Sequence, residues 1–463
     1  MGIDSLSKTR SNLSKVGLNL RKWLYFALVG IRGQALGAYY ARLLQEDRNG
    51  IPPDTTHKLL IQLLAHCKRS VPYYSKVIHR LGNSFYENPE EYLRDFPILT
   101  KDIIRSHFED LKSYDLPKRK WFFNTSGGST GEPVRFIQDR EYAARSGAIT
   151  LIFSKLVGKD LGELEVKLWG SARDIVSSTD GWRANFINRL TNTVFINSSL
   201  MTPGRMREFI YTLNTSKPKL ILTYVETIYE LAKFTEREGV KVLPQSAIMT
   251  TAGKLYPFMR DKIEGVFQCK VFDRYGSREV GDVACERLGL DGLWVAPWGN
   301  YLEIVDPEGN RVPDGTEGEI LVTSLTNYAL PLIRYKIGDR GVFSSNSHNQ
   351  LKQYGQVLKE VIGRSMDFFK TQDGGLINPG YFMSQLYFRE WITQYQIIQK
   401  SYENITYRIV KSYDPPQAEL DEITGITKKA MGNGCEVTFE FLSKIRPSDS
   451  GKYRYLMSEV PST

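Results

Sequence analysis

Short apolar runs alternate with helical stretches through the middle of the chain, and this alternation constrains the fold more than any other feature. Residues 140–157 have helical spacing, and helical stretches lie on either side of 220–224. The runs 166–170 and 220–224 are short and mostly apolar, which is typical of buried strands. Helices that alternate with such strands indicate βα units and a largely parallel sheet.

From residue 293 onward the pattern changes to short strands and turns. The segments 301–305 and 318–323 have the composition of strands, and Asp-Pro-Glu-Gly-Asn at 306–310 is a turn signal. An α+β region follows residue 363. Its predicted elements are strands at 395–399, 404–410 and 435–442 and a helix at 416–431. The predicted fold class is therefore α/β, with a large N-terminal domain of βα-type sheets plus a β-rich subdomain, and a small mobile α+β C-terminal domain.

A chain of 463 residues is too long for one ordinary domain but suits a large body with a smaller module. The predicted division has three parts: an N-terminal amphipathic helical arm at 1–45, the large domain at 46–362 and a C-terminal lid at 363–463. Hydrophobic residues make up 41% of the chain, which is enough for a packed core.

The net charge of +9 fits anionic partners such as nucleotides, nucleic acid or a membrane. Acidic residues are interleaved with the basic ones, so no nucleic-acid partner is predicted. The cysteines at 67, 269, 285 and 435 have no CxxC pairing. They are typical of reduced core thiols in a cytoplasmic protein, and a zinc site among them is not expected.

The N-terminal segment combines apolar and basic residues. Residues at helical spacing are Leu13, Val16, Leu20, Trp23, Leu24 and Leu28, and between them lie Lys15, Arg21 and Lys22. The apolar run 23–31 is too short to span a bilayer. Two interpretations remain open. The helix docks on the protein's own body, which we favour, or residues 1–35 make a peripheral contact with the anionic inner face of a membrane.

A glycine- and hydroxyl-rich segment lies at 124–133, with the sequence Asn-Thr-Ser-Gly-Gly-Ser-Thr-Gly-Glu-Pro. Such a loop brings backbone N–H groups close to an oxyanion, and its hydroxyls can contact phosphate oxygens. It is not an ordinary P-loop, because Glu132 stands where the P-loop lysine would be. On its own, this segment fits a phosphate-binding loop and a surface hairpin equally well.

Five segments carry motifs whose order and spacing form a set. They are the loop 124–133, Asp-Arg-Tyr-Gly-Ser-Arg-Glu at 273–279, and the segments 318–325, 331–339 and 362–365. Together they resemble the motifs of the adenylate-forming enzymes. The resemblance is strongest to the phenylacetate–CoA ligase branch, including its CapK-like members found with polysaccharide biosynthesis, and it extends over residues 54–456.

The resemblance implies an ATP-dependent ligase that activates a small-molecule carboxylate as an acyl-adenylate and releases pyrophosphate. The acyl group then passes to a thiol or amine acceptor, with coenzyme A as one candidate, in cell-surface polysaccharide biosynthesis. In this interpretation residues 46–362 are the adenylation domain. An aryl-CoA ligase of the phenylacetate type and a non-catalytic nucleotide-binding scaffold remain as alternatives.

The resemblance also assigns nucleotide contacts. The β- and γ-phosphates would be held by Ser126, Gly127, Gly128, Ser129, Thr130 and Gly131. The rest of the nucleotide would be contacted by Ala252, Gly253, Tyr275, Gly276, Ser277, Asp339 and Arg364. Tyr275 would lie against the adenine, and Asp339 would accept hydrogen bonds from both ribose hydroxyls through its two oxygens.

Catalytic roles fall to Lys452, Glu279 and Thr130 by the same resemblance. Glu279 would ligate Mg²⁺, a hard cation that prefers carboxylate oxygen. Lys452 would reach from the C-terminal lid into the adenylation site and bring its ammonium to developing phosphate charge. Met366 departs from the family pattern, which has aspartate two residues after the hinge arginine, so the hinge rotation is expected to differ.

The acyl pocket is predicted only by position relative to the motifs. Trp169, Trp182 and Tyr224 are candidates for its wall, and Arg274 is a candidate lining residue. Arg274 and Arg278 make the 273–279 motif unusually basic. This predicts either a substrate with a second negative charge or structural ion pairs.

Overall fold

The structure is a computed structural model of the chain. It describes residues 20–31, 33, 35–126, 134–169, 182–198, 200–345, 355–362, 369–377, 380–386, 389–445 and 456–460.

The helices include those predicted at 140–157, at 416–431 and on either side of 220–224. In chain order they are α1 (20–31), α2 (Leu36–Asn49), α3 (Thr55–Ser70), α4 (Pro72–Leu81), α5 (Pro89–Tyr92), α6 (Lys101–Ser106), α7 (Phe108–Leu111), α8 (Arg140–Leu156), α9 (Trp182–Thr191), α10 (Pro203–Ser216), α11 (Val225–Arg237), α12 (Pro257–Phe267), α13 (Gly380–Leu386) and α14 (Gln417–Met431). Short 3-10 helices lie at Ser84–Tyr86, Leu93–Asp95 and Leu116–Lys118.

The strands alternate with these helices in the first half of the chain and follow one another later. They are β1 (Trp121–Thr125), β2 (Arg135–Asp139), β3 (Glu165–Trp169), β4 (Thr193–Asn197), β5 (Leu200–Met201), β6 (Leu220–Tyr224), β7 (Ala247–Thr251), β8 (Lys270–Ser277), β9 (Gly281–Glu286), β10 (Leu293–Val295), β11 (Asn300–Val305), β12 (Glu317–Ser324), β13 (Tyr335–Phe343), β14 (Val357–Ile362), β15 (Phe369–Lys370), β16 (Leu376–Ile377), β17 (Ile392–Ser401), β18 (Asn404–Lys411), β19 (Glu436–Phe441) and β20 (Leu456–Ser458).

The largest sheet of the described residues has eleven strands, in the order β11-β12-β13-β14-β10-β9-β8-β7-β6-β3-β4. The neighbours from β4 to β8 are parallel. Every residue of β7 is buried, as are 220–223 of β6, because parallel strands are covered on both faces. This confirms the βα arrangement that the apolar runs predict.

The remaining strands of this sheet are antiparallel and form the β-rich region expected after residue 293. β11 pairs with β12 from Asn300 opposite Ser324 to Val305 opposite Glu319. In the turn after β11, Asp306 Oδ1 accepts a hydrogen bond from the Asn310 N–H at 2.8 Å. β12 also pairs with β13, and β13 pairs with β14.

The C-terminal strands form a separate sheet in the order β19-β18-β17-β20. β17 and β18 are an antiparallel hairpin, and α14 connects β18 to β19, which runs parallel to it. Trp391, Tyr407 and Ile423 are fully buried in the core of this region. The predicted strands and helix are confirmed here, and the fold class is α/β as predicted. The division at residues 45 and 362 stays a prediction.

Helix α1 lies against the body of the protein, as the favoured interpretation predicts. Lys22 Nζ is 3.0 Å from Asp160 Oδ1, and the rings of Phe26 and Tyr40 have centroids 5.7 Å apart. The apolar positions predicted for this helix include residues that the structure leaves exposed: Leu20, Trp23 and Leu24. The docking is therefore confirmed, but it uses a different face.

The four cysteines are free thiols, with Cys67, Cys285 and Cys435 buried and Cys269 half-buried. Burial raises the pKa of the Cys269 thiol to about 12. Among the described residues, no group of three His, Cys, Asp or Glu side chains is placed to hold a metal ion. None of the described helices is long and apolar enough to cross a membrane.

Candidate active site

Many predicted site residues lie together at the carboxyl ends of the parallel strands. Trp169 ends β3, Tyr224 ends β6, Ala252 and Gly253 follow β7, and Tyr275 lies near the end of β8. Because these strands are parallel neighbours in the sheet, their carboxyl ends lie side by side. Open α/β sheets bind ligands in the crevice outside such ends.

Trp169 and Tyr224 form an aromatic pair at this edge. Their ring centroids are 4.7 Å apart, the planes are inclined by 41°, and both side chains are half-buried. The structure therefore brings together two of the residues predicted for the acyl-pocket wall. Trp182, the third, is 73% exposed on α9, and its place in the pocket wall stays a prediction.

The segment after β7 combines backbone strain with close packing. Ala252 has a φ of 67°, a left-handed conformation that costs a non-glycine residue about 1–2 kcal/mol. Gly253 packs on the carboxylate of Glu226, and a Cβ at this position would collide with it. Lys254 Nζ is 2.9 Å from Glu360 Oε2, which ties the segment to β14. These features fit a loop whose backbone approaches a ligand.

Tyr275 and Asp339 are 64 positions apart in the sequence but meet in the structure. The Tyr275 hydroxyl donates a hydrogen bond to Asp339 Oδ2 at 3.0 Å. Both side chains are half-buried. The bond orients the carboxylate predicted to contact ribose beside the ring predicted to contact adenine.

Glu279 lies in the tight turn between β8 and β9 and is 8% exposed. The hydroxyl of the fully buried Tyr335 is 3.5 Å from Glu279 Oε1. Gly276 permits the close approach of the two strands, because a Cβ there would lie 2.5 Å from the Gly281 carbonyl oxygen. The turn therefore holds the carboxylate in a sterically fixed setting.

The Ser277 hydroxyl is buried beside this turn and has no hydrogen-bond partner in the part of the chain that the structure describes. A buried polar group without a partner lowers stability. Ser277 therefore fits its predicted contact with a polar ligand, because a nucleotide oxygen or nitrogen would supply the partner.

The glycine-rich segment is carried by the β1–β2 hairpin. The Ser126 N–H donates to Val134 O at 2.9 Å, and the Val134 N–H donates to Ser126 Oγ at 2.8 Å. Ser126, which is 2% exposed, thus closes the neck of the loop. The predicted phosphate contacts beyond it lie outside the described residues: Gly127, Gly128, Ser129, Thr130 and Gly131.

Gln138 of β2 joins this hairpin to the turn that carries Glu279. Its Nε2 donates to the carbonyl oxygens of Arg278 and Glu279, at 2.9 and 3.3 Å. Gln138 is 4% exposed, and its Oε1 accepts from Asn124 Nδ2 at 3.0 Å. One buried amide therefore fixes the neck of the phosphate loop relative to Glu279. Sequence reasoning missed this residue because it lies in no motif.

The other end of the hairpin is fixed by Asp139. Its Oδ1 accepts from the Tyr142 N–H at 2.7 Å, which caps α8, and its Oδ2 is 2.8 Å from Arg119 Nη1. Arg119 also donates two hydrogen bonds to Asp115, and these lower the pKa of the Asp115 carboxyl to about 2. The Asp115 carboxylate therefore stays ionised at neutral pH and holds Arg119 beside Asp139.

Arg274 forms an ion pair with a carboxylate of the protein itself. Its guanidinium is 3.3 Å from Asp282, which also accepts a hydrogen bond from Thr150 Oγ1 at 2.6 Å. Only 12% of the Arg274 side chain and 13% of the Asp282 side chain are exposed. The structural ion pair therefore fits Arg274 better than a contact with a second negative charge on the substrate.

Asp273 precedes this arginine and has a raised pKa. Burial and, after it, the negative charge of Glu286 raise the pKa of the Asp273 carboxyl to about 7. A proton held there near neutral pH lowers the negative charge that Asp273 and Glu286 share in the middle of β8.

Arg334 lies in the motif at 331–339, but no role was predicted for it. Its Nε is 3.1 Å from Glu303 Oε2, and both side chains are buried. Its other donors bond the carbonyl oxygens of Arg94, Phe96 and Gly309. The Leu99 N–H donates to Arg334 O at 3.1 Å, so this arginine holds the 94–99 segment beside the strand that carries Asp339. Its position within the motif at 331–339 was the sequence feature that could have identified Arg334.

Arg364, Met366 and Lys452 lie outside the described residues. Their predicted roles stay predictions.

Known proteins are similar to the chain over most of its length. The family model of the CapK C-terminal domain matches residues 369–459. CapK of Staphylococcus aureus is 25% identical over 403 residues, which cover 85% of this chain and 86% of CapK. A phenylacetate–coenzyme A ligase of Aromatoleum evansii is 25% identical over 335 residues, which cover 68% of this chain and 73% of that ligase.

The fold is similar to that of 2-hydroxyisobutyryl-CoA ligase in complex with 2-HIB-AMP and CoA in the thioesterification state. The TM-score is 0.55 at 19% identity, with 89% of this chain and 91% of that chain covered. The large α/β sheet and the relatives together define an adenylate-forming ligase. Within this class, the chain resembles the CapK-like branch of the phenylacetate–CoA ligases.

Proposed function

We propose that the protein activates a small carboxylic acid with ATP as an acyl-adenylate, releases pyrophosphate and passes the acyl group to a thiol or amine. The observation that carries the proposal is the 3.0 Å hydrogen bond between Tyr275 and Asp339. It supports the proposal because it joins an aromatic ring and a carboxylate in the strand-end crevice, four residues before the buried Glu279.

Each residue of the crevice acts on a defined part of the nucleotide in this proposal. Tyr275 covers the adenine, and Asp339 accepts hydrogen bonds from the ribose hydroxyls. The Ser277 hydroxyl, which has no partner among the described residues, donates to a nucleotide atom. Glu279 ligates Mg²⁺, which when bound neutralises phosphate charge.

The protein also has to align two anions, the substrate carboxylate and ATP. The carboxylate attacks the α-phosphorus of ATP, and pyrophosphate leaves. The Gln138 amide supports this by fixing the phosphate-loop neck relative to Glu279. Lys452 and Arg364 supply positive charge from the C-terminal part. Trp169 and Tyr224 line the acyl group.

The test is acid-dependent ATP–pyrophosphate exchange with a panel of aromatic, amino, keto and sugar acids. We expect at least one acid to support exchange. Addition of coenzyme A or an amine then identifies the acceptor by conversion of the adenylate to a thioester or an amide. Absence of exchange across the panel would overturn the proposal and favour the non-catalytic nucleotide-binding scaffold.

Tyr275→Phe should weaken the use of ATP selectively. Phenylalanine keeps the ring but removes the hydroxyl that orients Asp339, a hydrogen bond worth about 1–1.5 kcal/mol. We expect the KM for ATP to rise about fivefold to tenfold while the KM for the acid changes little. Exchange kinetics with one substrate varied at a time measure both values. Tyr211→Phe, at a site 70% exposed on α10, is the control. An equal rise in both KM values would contradict the assignment.

We further propose that the acceptor is a thiol such as coenzyme A or an amine of a sugar precursor, in cell-surface polysaccharide biosynthesis. The similarity to CapK supports the pathway, and the similarity to coenzyme A ligases supports the thiol. An aryl-CoA ligase is the second candidate, because the Trp169–Tyr224 pair suits a flat apolar acyl group. In either case we place the enzyme in the cytoplasm, with residues 1–35 as the candidate segment for peripheral contact with the inner membrane face.

A further inference from the structure

Helix α1 has apolar residues on two opposite faces. The face with Tyr25, Phe26 and Val29 packs on the body of the protein. The opposite face contains a stripe whose members recur four, three and four positions apart: Leu20, Leu24, Ala27 and Ile31. The spacing alone does not show which face packs on the body of the protein, but the structure does.

The inner face fixes the orientation of α1. Val29 is 6% exposed and packs with Leu36 and Ala144. Lys22 Nζ lies 3.0 Å from Asp160 Oδ1, with 26% and 22% of the two side chains exposed. Because this face is held by packing and an ion pair, the opposite face points away from the body.

The outer stripe is exposed. Leu20 is 56% exposed, Leu24 40% and Ile31 85%, and Trp23, which borders the stripe, is 66% exposed. Large apolar side chains grouped on one exposed face mark a contact surface. Tryptophan at the border of such a face suits the lipid–water interface, where one part of its ring system is apolar and the N–H is wet.

The N-terminal sequence is basic. Residues 1–35 contain six lysines and arginines and one acidic residue, Asp4. Arg21 lies on the exposed side of α1. Arg21 fits an anionic surface, whereas a two-fold contact between copies of the chain through the same stripe would bring the two Arg21 charges together.

We propose that the outer face of α1 binds a membrane surface that contains anionic phospholipid. The apolar stripe with Trp23 enters the headgroup region, Arg21 meets the lipid phosphates, and the inner face keeps the body of the protein attached. This inference deepens the proposed membrane-face location. It uses no residue of the candidate active site, so the two proposals succeed or fail separately.

The test is co-sedimentation of the full chain with vesicles of phosphatidylcholine alone and of phosphatidylcholine mixed with phosphatidylglycerol. We expect binding to the mixed vesicles that exceeds binding to phosphatidylcholine by about tenfold or more and falls with added salt. A triple variant, Leu20→Ser with Leu24→Ser and Ile31→Ser, should bind at least about tenfold more weakly. Arg21→Gln should lower binding by about fivefold.

Leu288→Ser is the matched control, because Leu288 is 73% exposed elsewhere on the surface. It should bind vesicles like the parent. An unchanged thermal midpoint of the triple variant shows that it is folded, whatever its exchange activity. Equal binding by the triple variant, or no binding by the parent, would overturn the inference. So would a dimer of the parent that the triple variant loses in light scattering, because a second copy would then cover the stripe.

Discussion

Lys452→Ala is expected to lower acid-dependent ATP–pyrophosphate exchange by about 100- to 1000-fold, as the loss of one preorganised charge-stabilising group does. The ammonium neutralises charge that develops on the phosphates as the carboxylate attacks and pyrophosphate leaves. Lys452 lies within the segment matched by the CapK C-terminal domain, so this charge would come from the lid. Transfer from a prepared acyl-adenylate should stay near the parental rate, because no pyrophosphate leaves in that step.

The two half-reactions are measured separately, by exchange and by single-turnover transfer from the adenylate. Lys444→Ala, an exposed lysine in the same region, is the control and should keep both rates. Equal losses in the two half-reactions would contradict a role confined to the first step. Parental exchange in Lys452→Ala would remove the lysine from the catalytic set.

Local patterns predicted much of the fold because buried strands and helices impose their own periods on the sequence. Strands β3 (Glu165–Trp169) and β6 (Leu220–Tyr224) lie at the apolar runs, and the C-terminal strands and helix lie where their patterns indicate. The motif at 273–279 marked Tyr275 near the end of β8, and position relative to the motifs marked Tyr224 at the end of β6. A parallel sheet necessarily places such ends together.

Contacts between residues far apart in the sequence were harder to predict, because they produce no local periodicity in the sequence. Gln138 bonds carbonyls 140 and 141 positions away, and Arg334 bonds carbonyls 238 and 240 positions away. Both residues support the site without any expected contact with the nucleotide. For α1, spacing groups residues into faces, but both faces are apolar. Only packing shows that Val29 is inside and Leu24 outside.

Glu279→Gln is the second variant for which a large loss is expected, about 100-fold or more in exchange. Glutamine keeps the size of the side chain in the turn but replaces the carboxylate by a neutral amide, a weaker ligand for a hard cation. The residue is only 8% exposed, and a neutral amide costs less to bury than a carboxylate, so the thermal midpoint should not fall. Loss of exchange without loss of stability would therefore report on the cation.

The dependence of exchange on Mg²⁺ separates this role from that of Lys452. The half-saturating Mg²⁺ concentration should rise about tenfold or more in Glu279→Gln, and excess Mg²⁺ should restore part of the rate. Excess Mg²⁺ should not rescue Lys452→Ala, because a lysine ammonium is not a metal ligand. Glu308→Gln, at an exposed position in the turn after β11, is the matched carboxylate control. A parental Mg²⁺ curve for Glu279→Gln would exclude Glu279 as the ligand and leave it a structural carboxylate beside Tyr335.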